Sequence, residues 1–174
     1  MLVYAHNPFG QLVSVFKSAG VSMEEKQAPE FVGISDWINT PDGQPIVLGD
    51  LVGEKVILVD FWTYSCINCQ RSVPFIEGWY QKYQDQGLLV VGIHTPEFRF
   101  EENLDNVKKA VGDYGLTYPV GLDNGYKTWR AYNNLYWPAL YLIDQNGQIV
   151  YMHFGEGMYE QTEQKIEELL ADLP

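Results

Sequence analysis

The sequence predicts an α/β fold, a central mixed β-sheet flanked by helices, and three observations predict it. Val56–Phe61 and Leu88–His94 are apolar runs of strand length. Between them Val73, Ile76, Trp79, Tyr80 and Tyr83 recur at helical spacing. Strand, helix, strand implies a right-handed crossover and parallel pairing. Later, Ala139–Asp144 and Gln148–Phe154 flank Gln145-Asn146-Gly147. Asn-Gly is a strong hairpin-turn signal, so these two strands pair antiparallel and the sheet is mixed.

The bulk properties suit that fold. At 174 residues, 46% hydrophobic and 14% aromatic, the chain can bury a sizeable core as one folded domain. Its net charge of −12 argues against nucleic acid or an anionic membrane surface as a partner. No apolar run approaches the roughly 18 residues of a membrane span, so no membrane insertion of this chain is expected. The N-terminus lacks the charged start and apolar h-region of a signal peptide.

Taken in order, residues 1–28 form an extension. Leu12, Val15, Phe16 and Ala19 follow i, i+3, i+4, i+7 spacing there, which predicts a short amphipathic helix ended by Gly20. The main domain is expected over 29–174. Phe31–Asn39 reads as extended, Thr40-Pro41-Asp42-Gly43 as a turn, and Ile46-Val47 as the start of a return strand, an N-terminal β-hairpin. Val56–Phe61 is apolar except for Asp60. A helix over 67–84 follows, with Pro74 expected to kink it. After Leu88–His94, residues 101–114 read as an inserted helix with Glu101 and Glu102 in its first turn and Leu104, Val107, Val111 and Tyr114 on one face. Tyr118–Gly121 is a short strand and Tyr126–Tyr132 a short helix. A last helix, about 159–171, turns Ile166, Leu169 and Leu170 inward.

The chemistry concentrates at Cys66 and Cys69, the chain's two cysteines, at the junction of the first apolar strand and its helix. A helix N-terminus presents unpaired N–H groups and the positive end of its dipole, which favour a thiolate on Cys66. Cys69 lies in the first helical turn and can close a disulfide with Cys66. A zinc site usually wants four protein ligands, and His6, His94 and His153 are far apart in sequence, so no metal is expected. A structural disulfide would close too short a loop to stabilise much. Redox chemistry is the favoured reading. No cofactor beyond the redox-active pair is expected. Asp60 in a buried run is costly unless protonated or paired, so its pKa should be raised.

Asp60-Phe61-Trp62, three residues, then Cys-x-x-Cys resembles thioredoxin. Phe61-Trp62-Thr63-Tyr64-Ser65-Cys66-Ile67-Asn68-Cys69 is more closely similar to the thioredoxin-like domain of the DipZ family, within the TlpA-like group. Gly92-Ile93-His94-Thr95-Pro96-Glu97-Phe98, Tyr136-Trp137-Pro138-Ala139, Tyr141-Leu142-Ile143-Asp144 and His153-Phe154-Gly155-Glu156-Gly157 extend the match over roughly residues 28–171. The resemblance implies a thioredoxin-like fold and a protein-disulfide oxidoreductase. It implies Cys66 as nucleophile, Cys69 as resolving thiol, Asp60 as the base for Cys69, and Glu97 as an acid tuning both thiols. It implies a cis bond at Trp137-Pro138, with Trp137 offering its backbone to an extended substrate. Tyr64, Tyr136 and Trp137 read as an aromatic rim, with Trp62 either part of it or core. DipZ proteins join this domain to a membrane-embedded electron-transfer part. The implied partners are therefore disulfide-bearing proteins and a membrane thiol donor, in a periplasmic or cell-surface setting.

Two other functions fit parts of the pattern. Thr63 lies three residues before Cys66, as in the T-x-x-C of peroxiredoxins, although Val59 stands where that motif has proline. A copper or haem-assembly module could use both thiols as soft ligands, but no Met- or His-rich motif accompanies them.

Overall fold

The structure, a computed structural model, describes residues 26–173 together with two short strands, β1 (Ala5–His6) and β2 (Leu12–Val13), which pair antiparallel. The helix expected through Leu12, Val15, Phe16 and Ala19 otherwise falls outside the described residues; Leu12 itself belongs to β2.

A seven-stranded mixed sheet runs through the domain. Its strands are β3 (Lys26–Gln27), β4 (Trp37–Ile38), β5 (Val56–Trp62), β6 (Leu88–His94), β7 (Val120–Leu122), β8 (Ala139–Ile143) and β9 (Gln148–Phe154), in spatial order β3-β9-β8-β5-β6-β7-β4. β5 lies at the centre, parallel to β6 and antiparallel to β8. All seven of its residues are buried, as a strand covered on both faces requires. Alternation divides it: Val56, Leu58 and Trp62 join the core beneath the helices α1 (Ile67–Tyr83) and α4 (Tyr159–Ala171), while Ile57, Val59 and Phe61 join a second core with Phe31, Trp129, Tyr132 and Tyr141. By the same period Asp60 shares the α1 face with Trp62.

Several boundaries differ from those the sequence suggests. The expected N-terminal hairpin is not formed between Phe31–Asn39 and Ile46-Val47; Trp37–Ile38 instead pairs with β7, as the sheet's outer strand. The inserted helix, α2 (Leu104–Asp113), begins after Asn103, whose side chain accepts from the Asn106 N–H at 3.0 Å. Arg99–Glu102 form a separate 3-10 turn, so Glu101 and Glu102 are not in the α2 first turn. A short helix, α3 (Lys127–Ala131), carries Trp129. The β8–β9 hairpin turns on Gly147, at φ 78°, while Asp144 Oδ1 accepts from the N–H groups of Asn146 and Gln148.

Candidate active site

β5 ends at Trp62, and the chain turns through Thr63, Tyr64 and Ser65 into α1. Cys66 is the N-cap of that helix: its backbone is extended (φ −71°, ψ 114°) and its sulfur accepts from the Cys69 N–H at 3.3 Å. A thiolate here does what a Ser or Asp cap does elsewhere, accepting an otherwise unpaired amide. Both cysteines are free thiols, Cys66 partly exposed and Cys69 buried. The hydrogen bond from the Cys69 thiol, helped by the amides of Cys69 and Asn68, lowers the Cys66 thiol to about 6, against the opposing effects of partial burial and the Glu97 charge. Burial, and then the bond to Cys66, holds Cys69 far above the ordinary thiol range. One thiol ionises readily and the other is held protonated.

Asp60 is 2% exposed, and its Oδ1 has no hydrogen-bond partner among the described residues. Burial, and then the charge of Cys66, raises its carboxyl to about 8. This is the direction expected from a lone carboxylate in an apolar strand. It is close enough to the dithiol that its charge would in turn raise Cys69.

The Trp137-Pro138 bond is cis. Ala139 pairs with Phe61 across β8 and β5, so Pro138 stands abreast of the strand end from which the cysteine loop departs. Trp137 is fixed from two sides: its Nε1 donates to the Thr95 carbonyl at 3.0 Å and its ring lies 4.3 Å from that of Trp129. Thr95 in turn donates its N–H to the Trp62 carbonyl.

Of the two readings of Trp62, rim and core, the structure takes the core. Trp62 is 1% exposed and belongs to the core, on the same face as Val56 and Leu58, so it cannot touch a substrate. Tyr64 is half-buried, with its hydroxyl donating to the Phe100 carbonyl at 3.1 Å. Tyr136 is exposed, and Ile67, between the cysteines, is exposed as well. Phe98 and Phe100, stacked 5.5 Å apart, extend the apolar surface on the Tyr64 side.

Glu97 is exposed, and its charge opposes the Cys66 thiolate. The acid that the loop is built around is Glu101, four residues on and fully buried. Burial would raise it, but hydrogen bonds from Ser65, Thr63 and the amides of Phe98 and Glu97 together bring it below its ordinary value. His94, also fully buried, stacks on Tyr64 and places Nε2 3.3 Å from Thr63 Oγ1. Burial lowers its imidazole to about 4, so it is neutral at physiological pH. Neither residue stands out in the sequence: Glu101 reads as a helix-start acid and His94 as the end of an apolar strand. Among the described residues no group of three or more His, Cys, Asp or Glu is arranged to hold a metal ion.

A dithiol divided into one ionisable and one withheld sulfur is the working part of a thiol–disulfide oxidoreductase, and the sheet that carries it is thioredoxin-like. The chain belongs to the Redoxin family, whose model matches residues 23–170. It is 53% identical over 145 residues to Protein DipZ of Mycobacterium tuberculosis, a match covering 83% of this chain and 21% of that protein, so the chain spans about a fifth of DipZ's length. It is 33% identical over 146 residues to the thiol-disulfide oxidoreductase YkuV of Bacillus subtilis, covering 83% of this chain and 94% of YkuV. The solution structure of a thioredoxin-like protein in the oxidized form superposes with a TM-score of 0.77 at 28% identity, over 87% of this chain and all of that one.

Proposed function

We propose that the chain is a dithiol reductase of extracytoplasmic protein disulfides, and the observation that carries this is the asymmetry of its two thiols. The Cys66 thiolate attacks one sulfur of a substrate disulfide; the other leaves as a thiolate, and Cys66 is joined to substrate in a mixed disulfide. Cys69 then loses its proton and attacks the Cys66 sulfur. The second substrate thiol is released and a Cys66–Cys69 disulfide remains, two electrons having passed to the substrate.

Asp60 is the acceptor for the Cys69 proton, directly or through a water. Timing supports this role. The charge on Cys66 is one of the two causes that hold Asp60 protonated. Forming the mixed disulfide removes that charge, so Asp60 ionises more readily just when a base is needed. The negative charges of an Asp60 carboxylate and a Cys66 thiolate thus exclude each other by Coulomb repulsion, so the resting proton on Asp60 goes with the charge on Cys66.

The tuning of the nucleophile supports that direction of electron flow. Strongly oxidising pairs hold their reactive thiol near about 3.5, and thioredoxin holds its own near about 7. Cys66, at about 6, lies toward the thioredoxin end. The uncharged Ile67-Asn68 between the cysteines adds nothing to push it lower. Recharging requires a dithiol donor. The resemblance to the DipZ family supports a membrane-embedded electron-transfer protein or domain in that role, and supports the extracytoplasmic setting. Among the described residues no helix is long and apolar enough to cross a membrane.

The test is the reduction potential of the Cys66–Cys69 couple, measured by equilibration in defined thiol buffers. A value near or below about −270 mV, the thioredoxin end of the scale, is expected; a value near about −120 mV would reverse the direction.

A further inference from the structure

Besides the Thr63 hydroxyl, Glu101 accepts four hydrogen bonds, more than its place in a short 3-10 turn requires. Oε2 accepts from the N–H groups of Glu97 and Phe98 at 2.6 and 2.8 Å, which caps its own turn. Oε1 accepts from Ser65 Oγ at 2.6 Å and from the Ser65 N–H at 3.3 Å, and Ser65 is 36 residues away in sequence. The second pair serves no cap. It joins the loop after β6 to the residue immediately before Cys66.

Other bonds grip the same short stretch. The Tyr64 carbonyl accepts from Gln70 Nε2 and from the Tyr114 hydroxyl, each at 2.9 Å. The Tyr64 hydroxyl donates back to Phe100 in the Glu101 turn. Burying a carboxylate completely is costly unless its oxygens are well supplied with donors. A capping acid at the surface would satisfy the turn without that cost. What burial adds is a fixed link between two loops.

We propose that Glu101 is a positioning residue for the nucleophile: through Ser65 it fixes the chain leading into Cys66, so that the Cys66 sulfur stays aligned on the first amides of α1. The inference rests on the dithiol reading above, but only on Cys66 being the reactive thiol and not on any substrate or direction. The two bonds to Ser65 act as one link, so weakening either end loosens the same segment. Cys66 then loses part of its amide support and becomes harder to ionise. A purely Coulombic role would have the opposite sign, because removing the Glu101 charge would make the Cys66 thiolate easier to form. The titratable groups that bear on Cys66, namely Cys69, Asp60 and Glu97, are untouched by the changes proposed here.

The experiment compares Glu101→Gln, Ser65→Ala and the double variant with the unaltered chain, all reduced, by the pH dependence of Cys66 alkylation with iodoacetamide. Each single variant is expected to move the midpoint upward and slow alkylation at pH 6 by about two- to five-fold, the loss of thiolate for a rise of half a unit to one unit. The double variant should move it little further, because both changes cut one link. Ser65 is exposed, so Ser65→Ala carries the test even if Glu101→Gln folds poorly. A folded variant with an unmoved or lowered midpoint would overturn the proposal, as would additive shifts. The assay uses no disulfide substrate. A chain that fails to reduce proteins yet shows the upward shift would refute the reductase reading and leave the positioning role standing.

Discussion

The Cys69 amide points at the Cys66 sulfur from 3.3 Å, making that sulfur the cap of the helix that carries its partner. The sulfur's charge and the helix start stabilise each other, so ionisation and helix geometry are one property. The Cys66 thiol is lowered to about 6, and its thiolate therefore persists above that pH and is lost as pH falls through it. Alkylation of Cys66 should show a half-point near pH 6, readable also as thiolate absorbance. A half-point near about 8.5, the value of a free cysteine, would mean that the cap does not activate it. Cys66→Ser should abolish insulin reduction, whereas Cys69→Ser should retain attack and accumulate mixed disulfides.

Asp60 makes a prediction about stability as well as rate. Its folded carboxyl titrates at about 8 and its unfolded one at about 3.9, so between those values the folded state binds the extra proton. Stability attributable to this group therefore falls as pH rises from about 4 to about 8, by about 4 kcal/mol at pH 7. Asp60→Asn removes that penalty. In urea titrations the variant should gain on the unaltered chain as pH is raised from 4 to 8, while resolution of the mixed disulfide slows. A constant stability difference across that range would show Asp60 ionised in the folded protein.

His94 behaves in the opposite sense. Its folded imidazole titrates at about 4 and an unfolded one at about 6.5, so in that window the unfolded state binds the extra proton. Stability from this group falls as pH drops from about 6.5 to 4, by about 3 kcal/mol in full. His94→Gln should therefore gain on the unaltered chain toward acid, where Asp60→Asn shows no gain. An imidazole NMR titration should place the midpoint near 4. A midpoint near 6.5 would mean that the ring is solvated and not packed between Trp62 and Tyr64.

Much of this arrangement was legible in the sequence where the information is local. Val56–Phe61 and Leu88–His94 announce themselves as apolar runs, α1 as a helical period, and the β8–β9 turn as Asn-Gly. Cys66 and Cys69 point to redox chemistry by their spacing together with their place at the junction of strand and helix. The misreadings are non-local. Trp37–Ile38 looks like half of a hairpin, but its partner is β7, some eighty residues on. Glu101 looks like a surface helix-start acid, because nothing nearby reveals that its second oxygen is bound by Ser65. Trp62 is different: the sequence leaves it open between rim and core, and strand alternation from Val56 and Leu58 decides for the core on the α1 face.

That placement of Trp62 yields the final prediction. Gly92 pairs in register with Asp60 on the neighbouring strand. A Cβ there would meet Tyr118 Cε2 at 3.0 Å, Trp62 Nε1 at 3.1 Å and Val120 Cγ2 at 3.3 Å. These neighbours are buried, so none can swing into solvent. Gly92→Ala should destabilise by about 1–3 kcal/mol, the usual cost of overpacking a filled core. Trp62→Phe shortens the side chain on one side of that contact and loses stability through the void it leaves. Combined, the two should cost less than the sum of their separate effects, by about 0.5–3 kcal/mol in a double-mutant cycle. Strict additivity would show that Trp62 does not limit the space at Gly92.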